Sequence, residues 1–354
     1  MKLLLWTDTH AGARSDSTIF NDYFIKFYQE VFFPYIKENN ITHTIHLGDV
    51  FDRRKYVNFL TLNSWRRNIF EPLNKLCKTL ILQGNHDIYY KDTNEVDSLG
   101  ELFLPYENIQ IINKPTEVEF DGTKILLMPW VLDSGEDDCR EMLANSKAPI
   151  LFGHFDITSF SFHRGITNTD IGFAPEEFEN FSVVCSGHYH HRSNKGNIHY
   201  LGTPYEIDWH DCEDPKGFHI FDTSTHRLKF IENPLQMHHK VLYDDKDRTF
   251  EETIKGIDFS KYSGVYVKVV VRNKTNPYIF DQFLQELNKV SPADVSVLDE
   301  IIEQNETEDS IDETKDTLTL LVEYVECMNI EEGNKKPLIE VLTKLYKEAN
   351  ELDV

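Results

Sequence analysis

The chain has 354 residues, of which 40% are hydrophobic and 12% aromatic, so it can bury a large core and is not expected to be disordered. Its formal net charge of −24 excludes a protein that holds nucleic acid by its general surface charge, and a DNA substrate would need a local basic patch, metal ions or a partner. No apolar run approaches the roughly 18 residues of a membrane span, and the five cysteines form no CxxC pair, which favours a reducing, cytoplasmic setting.

Strands and helices alternate over roughly the first 230 residues. Short apolar runs predict buried strands, which we place at residues 2–6, 44–47, 80–82, 124–128, 150–152 and 183–185. Apolar side chains at helical spacing predict helices at residues 22–37, 58–75 and 96–103. The alternation favours an α/β fold for this part of the chain.

The sequence changes character beyond Asn233-Pro234. A β-branched run predicts a strand at residues 265–271, Asn276-Pro277 starts a helix that reaches residue 290, and a further strand is expected at 293–298. Residues 303–316 carry seven acidic residues and one lysine, which indicates a linker. Two amphipathic helices are expected at residues 318–328 and 338–352. We therefore predict domains at 1–235 and 236–302, an acidic linker at 303–316 and a helical tail at 317–354.

Several of the predicted strands end in residues that can bind protons or metal ions. The endings are Asp8-x-His10, Gly48-Asp49, Gly84-Asn85-His86-Asp87, Gly153-His154 and Gly187-His188-x-His190. Each ending alone could be a polar turn, in which Gly84, for example, would let the chain turn sharply. Their repetition indicates a shared metal site at one edge of the fold. The donors are oxygen and imidazole nitrogen without thiolate, which suits manganese, iron or zinc in an open catalytic site.

Together these motifs resemble the calcineurin-like metallophosphoesterase superfamily. Within it the chain resembles the SbcD nuclease family, the bacterial and phage counterpart of the eukaryotic meiotic-recombination nuclease. The narrower resemblance rests on residues 200–205 (YLGTPY) and on a further domain after residue 235. It implies an α/β metallophosphoesterase sandwich with a small α+β DNA-capping domain and a C-terminal helical tail.

The resemblance also implies roles for individual residues. One divalent metal ion would be held by Asp8, His10, Asp49 and His190. A second would be held by Asp49, Asn85, His154 and His188, so that Asp49 bridges the two ions, with manganese as the expected metal. His86 would stabilise the transition state or protonate the leaving 3′ oxygen, and Asp52, which stands where some relatives have a second histidine, could orient His86.

The basic triplet Arg53, Arg54 and Lys55 follows the bridging aspartate and could bind substrate phosphates or form a solvated loop. The expected function is a two-metal DNA nuclease, acting as exonuclease and endonuclease in DNA repair, recombination and replication. A phosphatase or small-molecule phosphodiesterase of the same superfamily is the alternative enzyme. A scaffold on an inactive phosphoesterase fold is the non-enzymatic alternative, which the complete ligand set disfavours.

The family layout further implies a homodimer through helices near residues 59–69 and 96–103, although their apolar residues could equally be core. It implies that residues 317–354 dock on the coiled-coil base of an SbcC-type ABC ATPase. The remaining histidines are more consistent with core or surface positions than with ligation. These include His43, His46, His163, His191, His210, His238 and His239.

Overall fold

The computed structural model describes residues 1–90, 93–103, 105–163, 166–167, 172–299, 325, 335–339 and 341–342. Residues 1–298 form one compact unit and residues 299–354 a second. In the second unit, residues 325, 335–339 and 341–342 are helical. The predicted linker at 303–316 and most of the predicted helical tail lie outside the described residues. Within the described ranges, no helix is long and apolar enough to cross a membrane.

Seventeen strands are described. They are β1 (Lys2–Trp6), β2 (His43–His46), β3 (Lys78–Leu82), β4 (Ile109–Ile112), β5 (Thr116–Phe120), β6 (Thr123–Met128), β7 (Ile150–His154), β8 (Ser161–His163), β9 (Ile166–Thr167), β10 (Val183–Gly187), β11 (Ser193–Lys195), β12 (Ile198–Tyr200), β13 (Gly217–Asp222), β14 (Arg227–Glu232), β15 (His238–Asp244), β16 (Tyr266–Asn273) and β17 (Asp294–Asp299). The apolar composition of strands such as β7 and β10 suits burial on both faces, whereas edge strands such as β5 and β14 carry alternating polar residues.

Two six-stranded sheets form the frame of the first unit. One has the order β14-β13-β1-β2-β3-β4 and the other the order β11-β12-β10-β7-β6-β5. In the first, β1 to β4 run parallel and β13 pairs with β1 in antiparallel fashion. In the second, β6, β7, β10 and β12 run parallel, with antiparallel strands at both edges. Parallel strands place their carboxyl ends at one edge, where side chains from several loops can meet.

The two sheets pack face to face through an apolar cluster. From the first sheet it takes residues such as Leu3, Ile45 and Leu82, and from the second residues such as Leu127 and Phe152. A second cluster fills the outer face of the first sheet, beneath helices, and a third fills the outer face of the other. The result is the layered α/β sandwich that the sequence predicts.

Helices cover the outer faces of the sheets. Besides a short, partly left-handed turn at Ala13–Asp16, the α-helical segments of the first unit are Thr18–Phe27, Phe33–Glu38, Phe59–Trp65, Glu71–Leu76, Ser98–Phe103, Glu136–Asn145, Phe250–Ile254 and Pro277–Lys289. Wide π turns at Tyr28–Phe32 and Arg66–Phe70 join the first two and the next two segments. Each wide turn is followed by a proline, Pro34 or Pro72, whose ring and missing N–H do not fit a regular helical turn. The helices predicted at 22–37 and 58–75 are thus confirmed as helical stretches, each interrupted by a wide turn.

A separate three-stranded sheet has the order β15-β16-β17. The helix Pro277–Lys289 packs on it, and its core takes residues such as Tyr243, Val269 and Phe283. Asn276 caps this helix by accepting a hydrogen bond from the Tyr278 amide. The strands predicted at 265–271 and 293–298 and the helix at 277–290 are confirmed within two residues, whereas β15 was not predicted. The domain boundary at residue 235 stays a prediction.

Candidate metal centre

The predicted ligands come from the carboxyl ends of five parallel strands. Asp8 and His10 follow β1, and Asp49 follows β2, all in the first sheet. Asn85 and His86 follow β3 in the same sheet. From the second sheet, His154 ends β7, and His188 and His190 follow β10. The candidate site therefore lies where the carboxyl edges of the two sheets meet.

The backbone of this edge is unusual at four of the seven predicted ligands. Asp8, His10, Asp49 and His188 have φ angles of 52°, 43°, 59° and 88°, in the left-handed region that side chains other than glycine rarely adopt. Each such residue costs the fold on the order of 1 kcal/mol or more, and such residues concentrate at functional sites. This left-handed conformation directs the side chains at the ends of β1, β2 and β10 toward each other.

One group of donors surrounds His10. Its Nε2 lies 3.0 Å from Nε2 of His190 and 3.9 Å from Oδ2 of Asp49. The carboxylate of Asp8 accepts the amide of His188 at 3.0 and 3.1 Å, which holds it at the same edge. Donor atoms of Asp8, His10 and His190 lie within 4.8 Å of one another, close enough to hold one cation.

A second group surrounds the side-chain oxygen of Asn85. This Oδ1 lies 3.0 Å from Nε2 of His154 and 3.0 Å from Nδ1 of His188. Nε2 of His154 is 3.4 Å from Oδ2 of Asp49. The other ring nitrogen of His154 donates to the backbone carbonyl of Leu47 at 2.7 Å. Fixing Nδ1 in this way turns Nε2 toward the donors, as is usual for histidines that bind metals.

Buried charge supports the fit of these residues to cations. Asp8 is fully buried and Asp49 is 1% exposed. Burial, and then the nearby Asp49 carboxylate, raise the pKa of Asp8 to about 6 despite the neighbouring histidines. Buried carboxylates need a compensating positive charge, and divalent cations supply it. Oxygen and imidazole donors in adjoining groups that share His10 or Asp49 suit a pair of divalent ions. One of these groups, His10 with Asp49 and His86, includes the proposed catalytic histidine.

His86 lies beside this site and contacts Asp52 through the main chain. Its Nδ1 donates to the backbone carbonyl of Asp52 at 2.6 Å, and its amide donates to Oδ1 of Asp49 at 2.8 Å. The carboxylate of Asp52 turns to His10 instead, with Oδ1 3.5 Å from Nδ1 of that ring. Burial raises the pKa of Asp52, but His10 and further neighbours outweigh it and lower the value overall. Asp52 thus fixes His86 by its carbonyl and faces His10 with its carboxylate.

Asp87 joins two of the ligand loops, a role that the sequence did not indicate. Its buried carboxylate accepts the amides of Asp49 at 2.9 Å, Val50 at 3.0 Å, Phe51 at 3.3 Å and Gly84 at 2.9 Å. Burial and the Asp49 carboxylate raise its pKa to about 7. The only signal in the sequence is its place directly after Asn85 and His86.

Gly84 serves close packing rather than a left-handed turn. A β-carbon at this position would lie 2.2 Å from Oδ1 of Asp49, and its φ is not in the left-handed region. The expected turn is present, because the Asp87 amide donates to the Gly84 carbonyl at 3.2 Å, but it does not use a left-handed glycine. Glycine is needed because the loop after β3 passes directly against the Asp49 carboxylate.

Two of the other histidines, His46 and His191, make contacts that support the surrounding structure. His46 is 2% exposed, and its ring accepts the Gly48 amide at 3.2 Å and contacts Oγ1 of Thr9 at 3.1 Å. Burial lowers its pKa to about 3, so the ring is neutral. His191 faces Asp214 at 3.0 Å, away from the ligand cluster. The side chain of His163 lies outside the described residues.

The three cations of the basic triplet differ in their surroundings. Arg53 pairs with Asp16 at 3.5 Å and stacks on the ring of Tyr56. Arg54 is partly buried, and burial lowers its pKa while the charge of Asp49 opposes this. Lys55 is exposed, with Nζ 5.9 Å from the ring centre of Tyr89. Within the described part of the chain, Arg54 and Lys55 have no carboxylate within 4.0 Å.

A half-buried tryptophan borders the second donor group. The ring of Trp130, which follows β6, lies 5.0 Å from that of His188 and 5.9 Å from that of His154. Its amide donates to the carbonyl of Gln83 at 2.8 Å, which ties β6 to the loop after β3. The sequence indicated no role for Trp130.

Comparison with known proteins agrees with this geometry. A family model described as calcineurin-like phosphoesterase matches residues 1–192, which include all seven predicted ligands. Exonuclease subunit 1 of Enterobacteria phage T4 is 32% identical over 355 residues, covering 99% of this chain and 100% of the phage protein. The similarity to the phage protein therefore extends well past the phosphoesterase match.

Solved structures resemble the chain only weakly. An archaeal phosphodiesterase superposes with a TM-score of 0.34 and 14% identity, covering 66% of this chain and 99% of its own. The nuclease MPE of Pseudomonas putida superposes with a TM-score of 0.27 and 15% identity, covering 65% and 87%. At TM-scores this low, neither structure bears on the function of the chain.

Proposed function

The chain belongs to the calcineurin-like phosphoesterase family and is a metal-dependent nuclease of the SbcD type, and from this premise we propose how it acts on DNA. Two divalent cations, manganese in the cell, would be held by the predicted ligands with Asp49 between them. The observation that carries the proposal is the convergence of the seven predicted oxygen and imidazole donors where the carboxyl edges of the two sheets meet, with His86 beside them. When bound, the cations would polarise the phosphodiester and activate water for hydrolysis.

The surrounding residues of the chain would orient and protonate the substrate. The hydrogen bond from Nδ1 of His86 to the Asp52 carbonyl leaves Nε2 free to face a phosphate above the site. His86 would donate a proton to the leaving 3′ oxygen or a hydrogen bond to the reacting phosphate. Asp52 would hold the His86 ring by its carbonyl and the His10 ring by its carboxylate.

DNA contacts are proposed for two of the three cations in the basic triplet. Arg54 and Lys55 follow the bridging Asp49 and lack carboxylate partners in the described part of the chain. Arg53 already pairs with Asp16, so we assign it to the loop itself. Lys55 lies near Tyr89, and the pair could bind a phosphate and an adjacent base. On a chain with a net charge of −24, these cations would carry much of the salt-dependent affinity.

A homodimer is proposed through exposed apolar side chains at two helical regions. Phe59 is 87% exposed, Leu60 65% and Val96 45%, which is unusual for large apolar side chains. These residues lie at the start of the helix Phe59–Trp65 and just before Ser98–Phe103, where the family makes its dimer contact. Replacing Phe59 and Leu60 with serine should convert a dimer into a monomer in sedimentation experiments. An unchanged oligomeric state would contradict this contact.

The ATPase partner is proposed from the family layout and from the full-length similarity to a protein named as an exonuclease subunit. Residues 317–354 would dock on the coiled-coil base of an SbcC-type ABC ATPase. Deleting them should leave manganese-dependent cleavage by the isolated chain but abolish ATP-stimulated cleavage and co-purification with the ATPase. Retained co-purification would contradict the assignment.

The central test compares substrates. With manganese, the purified protein should cleave linear DNA and DNA hairpins much faster than a small para-nitrophenyl phosphate ester. Replacing Arg54 and Lys55 with alanine should weaken DNA cleavage and its salt dependence without changing hydrolysis of a small phosphodiester, with Arg53→Ala as the matched control. A preference for small esters would support the phosphatase alternative instead.

A further inference from the structure

A buried lysine contacts the backbone of the loop that carries His188 and His190. The side chain of Lys216, which directly precedes β13, is 3% exposed. Its Nζ lies 2.5 Å from Oδ1 of Asp211 and 2.9 Å from Oδ2 of Asp214, and it donates to the backbone carbonyl of His190 at 2.9 Å. The three N–H groups of the ammonium thus have three acceptors, one of which belongs to a predicted metal ligand.

The loop with His188 and His190 is held differently at its two ends. At one end, the His188 amide donates to the carboxylate of Asp8 at 3.0 Å. At the other, the His190 carbonyl accepts from Lys216 and from the Thr203 amide at 3.1 Å. His188 belongs to the donor group around Asn85, whereas His190 belongs to the group around His10. The contact with Lys216 therefore acts on one of the two donor groups.

The chain at Gly202 and Thr203 lies very close to the loop that carries His188 and His190. A β-carbon on Gly202 would lie 2.9 Å from the His190 carbonyl oxygen and 2.9 Å from the Arg192 amide, and the residue has a φ of 71°. A glycine is required here by both the close approach and the left-handed backbone. Gly202, Thr203 and Lys216 therefore all contact the backbone carbonyl of His190.

The charges in this cluster are balanced within it. Asp211 also accepts the Ile207 amide at 2.8 Å, and Asp214 also faces His191 at 3.0 Å. Burial disfavours the charge of Lys216, but the two carboxylates outweigh burial and raise its pKa. Buried ion clusters are often no more stabilising than apolar side chains of the same volume. What an apolar side chain could not supply is the hydrogen bond to the His190 carbonyl.

We propose that Lys216 is a positioning residue, which fixes the backbone of His190 and thereby sets the affinity of the cation bound with His10. The role rests on the proposed two-cation assignment. It predicts an asymmetric effect, because the donor group of His154, Asn85 and His188 has no contact with the Lys216 ammonium among the described residues.

The test measures cation binding without DNA. In the double variant Lys216→Met with Asp211→Asn, the lysine is removed without leaving Asp211 as an unpaired charge, and Asp214 keeps His191. Calorimetric titration of the full chain with Mn²⁺ should show one ion bound as in the wild type and a second weakened at least about tenfold, the size typical of lost supporting contacts to ligands. Electron paramagnetic resonance should show the spin-coupled ion pair only at higher Mn²⁺ concentration, and saturating Mn²⁺ should restore cleavage.

Arg140→Met is the matched control, because Arg140, in the helix Glu136–Asn145, likewise pairs with two carboxylates, those of Glu136 and Glu177. It should bind both ions like the wild type. If the double variant does not fold, Gly202→Ala displaces the same carbonyl with every charge in place and should weaken the same ion. Binding of both ions at wild-type affinity, or equal weakening of both, would overturn the role of Lys216. A wild type that binds one ion would overturn both proposals, whereas two bound ions without DNA cleavage would overturn the proposed function alone.

Discussion

Two buried carboxylates, Asp87 at the metal centre and Asp245 beside the small sheet, both hold loops together by accepting hydrogen bonds from backbone amides. Their surroundings differ. Asp87 accepts four backbone amides from two loops, and Asp245 accepts the amides of Thr275 and Asn276 together with the hydroxyl of Tyr243. Their pKa values move in opposite directions. Burial and Asp49 raise that of Asp87 to about 7, whereas at Asp245 the amides outweigh burial and lower it.

The comparison separates structure that serves stability from structure that serves the site. At Asp245, the carboxylate and the backbone amides around it satisfy one another's hydrogen bonds, so the contacts stabilise the fold. At the metal centre, it brings carboxylates together against their mutual repulsion and holds four ligands in strained backbone. Such an arrangement is retained only where bound cations or catalysis compensate for it.

The largest expected effect is at the bridge between the donor groups. Asp49→Ala should reduce manganese-dependent DNA cleavage to background, because both groups lose their shared carboxylate. The fold should remain, since the change lies at the sheet edge. Circular dichroism and a nuclease assay would check both statements, with Asp49→Asn as a variant of matched shape. DNA cleavage at the wild-type rate by Asp49→Ala would refute the two-cation assignment.

The next effect separates chemistry from cation binding. His86→Ala removes no proposed ligand, so titration should still show both ions, while the cleavage rate falls by on the order of 10²-fold. His46→Gln, a change of a buried histidine that contacts Thr9 and Gly48, controls for loss of a ring near the site. Loss of an ion in the His86 variant would mean that His86 is a ligand.

A smaller effect is expected at Asp87, where Asp87→Asn leaves a backbone amide facing an amide group. Unfolding should become easier by about 1–3 kcal/mol, and cation affinity should fall because the loops of Asp49 and Gly84 separate. Denaturant unfolding and manganese titration would measure the two effects. A stability loss with unchanged cation affinity would make Asp87 the same kind of residue as Asp245.

Asp245→Asn is the counterpart. It should also cost about 1–3 kcal/mol, because the amides of Thr275 and Asn276 lose an acceptor, but it should leave cation binding and hydrolysis of a small phosphodiester unchanged. The same two measurements apply. Impaired hydrolysis at saturating manganese would show that the small sheet communicates with the metal centre.

At neutral pH the smallest effect is expected at His219, a buried side chain whose contribution to stability changes only at acid pH. His219 is 4% exposed, its Nδ1 has no hydrogen-bond partner among the described residues, and burial lowers its pKa from 6.5 to about 3. Between these values the unfolded chain binds the proton and the folded chain does not, so this contribution to stability is complete above pH 6.5 and is lost as the pH falls toward 3. His219→Phe should lessen the loss by on the order of 1 kcal/mol per pH unit, measured by denaturant unfolding. Identical pH profiles would contradict this.

The sequence predicts the small sheet and the ligands for different reasons. The β-branched run before Asn276-Pro277 follows local rules, so β16 and the next helix are found nearly at their observed bounds. The strand β15 is missed because its sequence, HHKVLYD, has only three apolar residues and no alternation of polar and apolar side chains. The ligands are found because the same type of residue recurs at strand ends.

What the sequence leaves open depends on contacts between distant segments. Three features depend on such contacts: the ligands come from two sheets, Asp52 holds His86 by its carbonyl, and Lys216 reaches His190. Each of them joins residues that lie far apart in the sequence. Residue type alone does not encode such pairings. A main-chain contact such as that of Asp52 has no signature in side-chain identity at all.

The left-handed backbone at Asp8, His10, Asp49 and His188 has an evolutionary consequence. Glycine adopts this conformation without strain. A substitution to glycine at these positions would therefore destroy the site and at the same time relieve backbone strain. In a lineage released from selection for cleavage, such positions would drift to glycine or asparagine with little penalty to folding. Descendants that kept only the scaffold would therefore be recognisable by glycines at these strand ends, and they would unfold at higher temperature than their active ancestors.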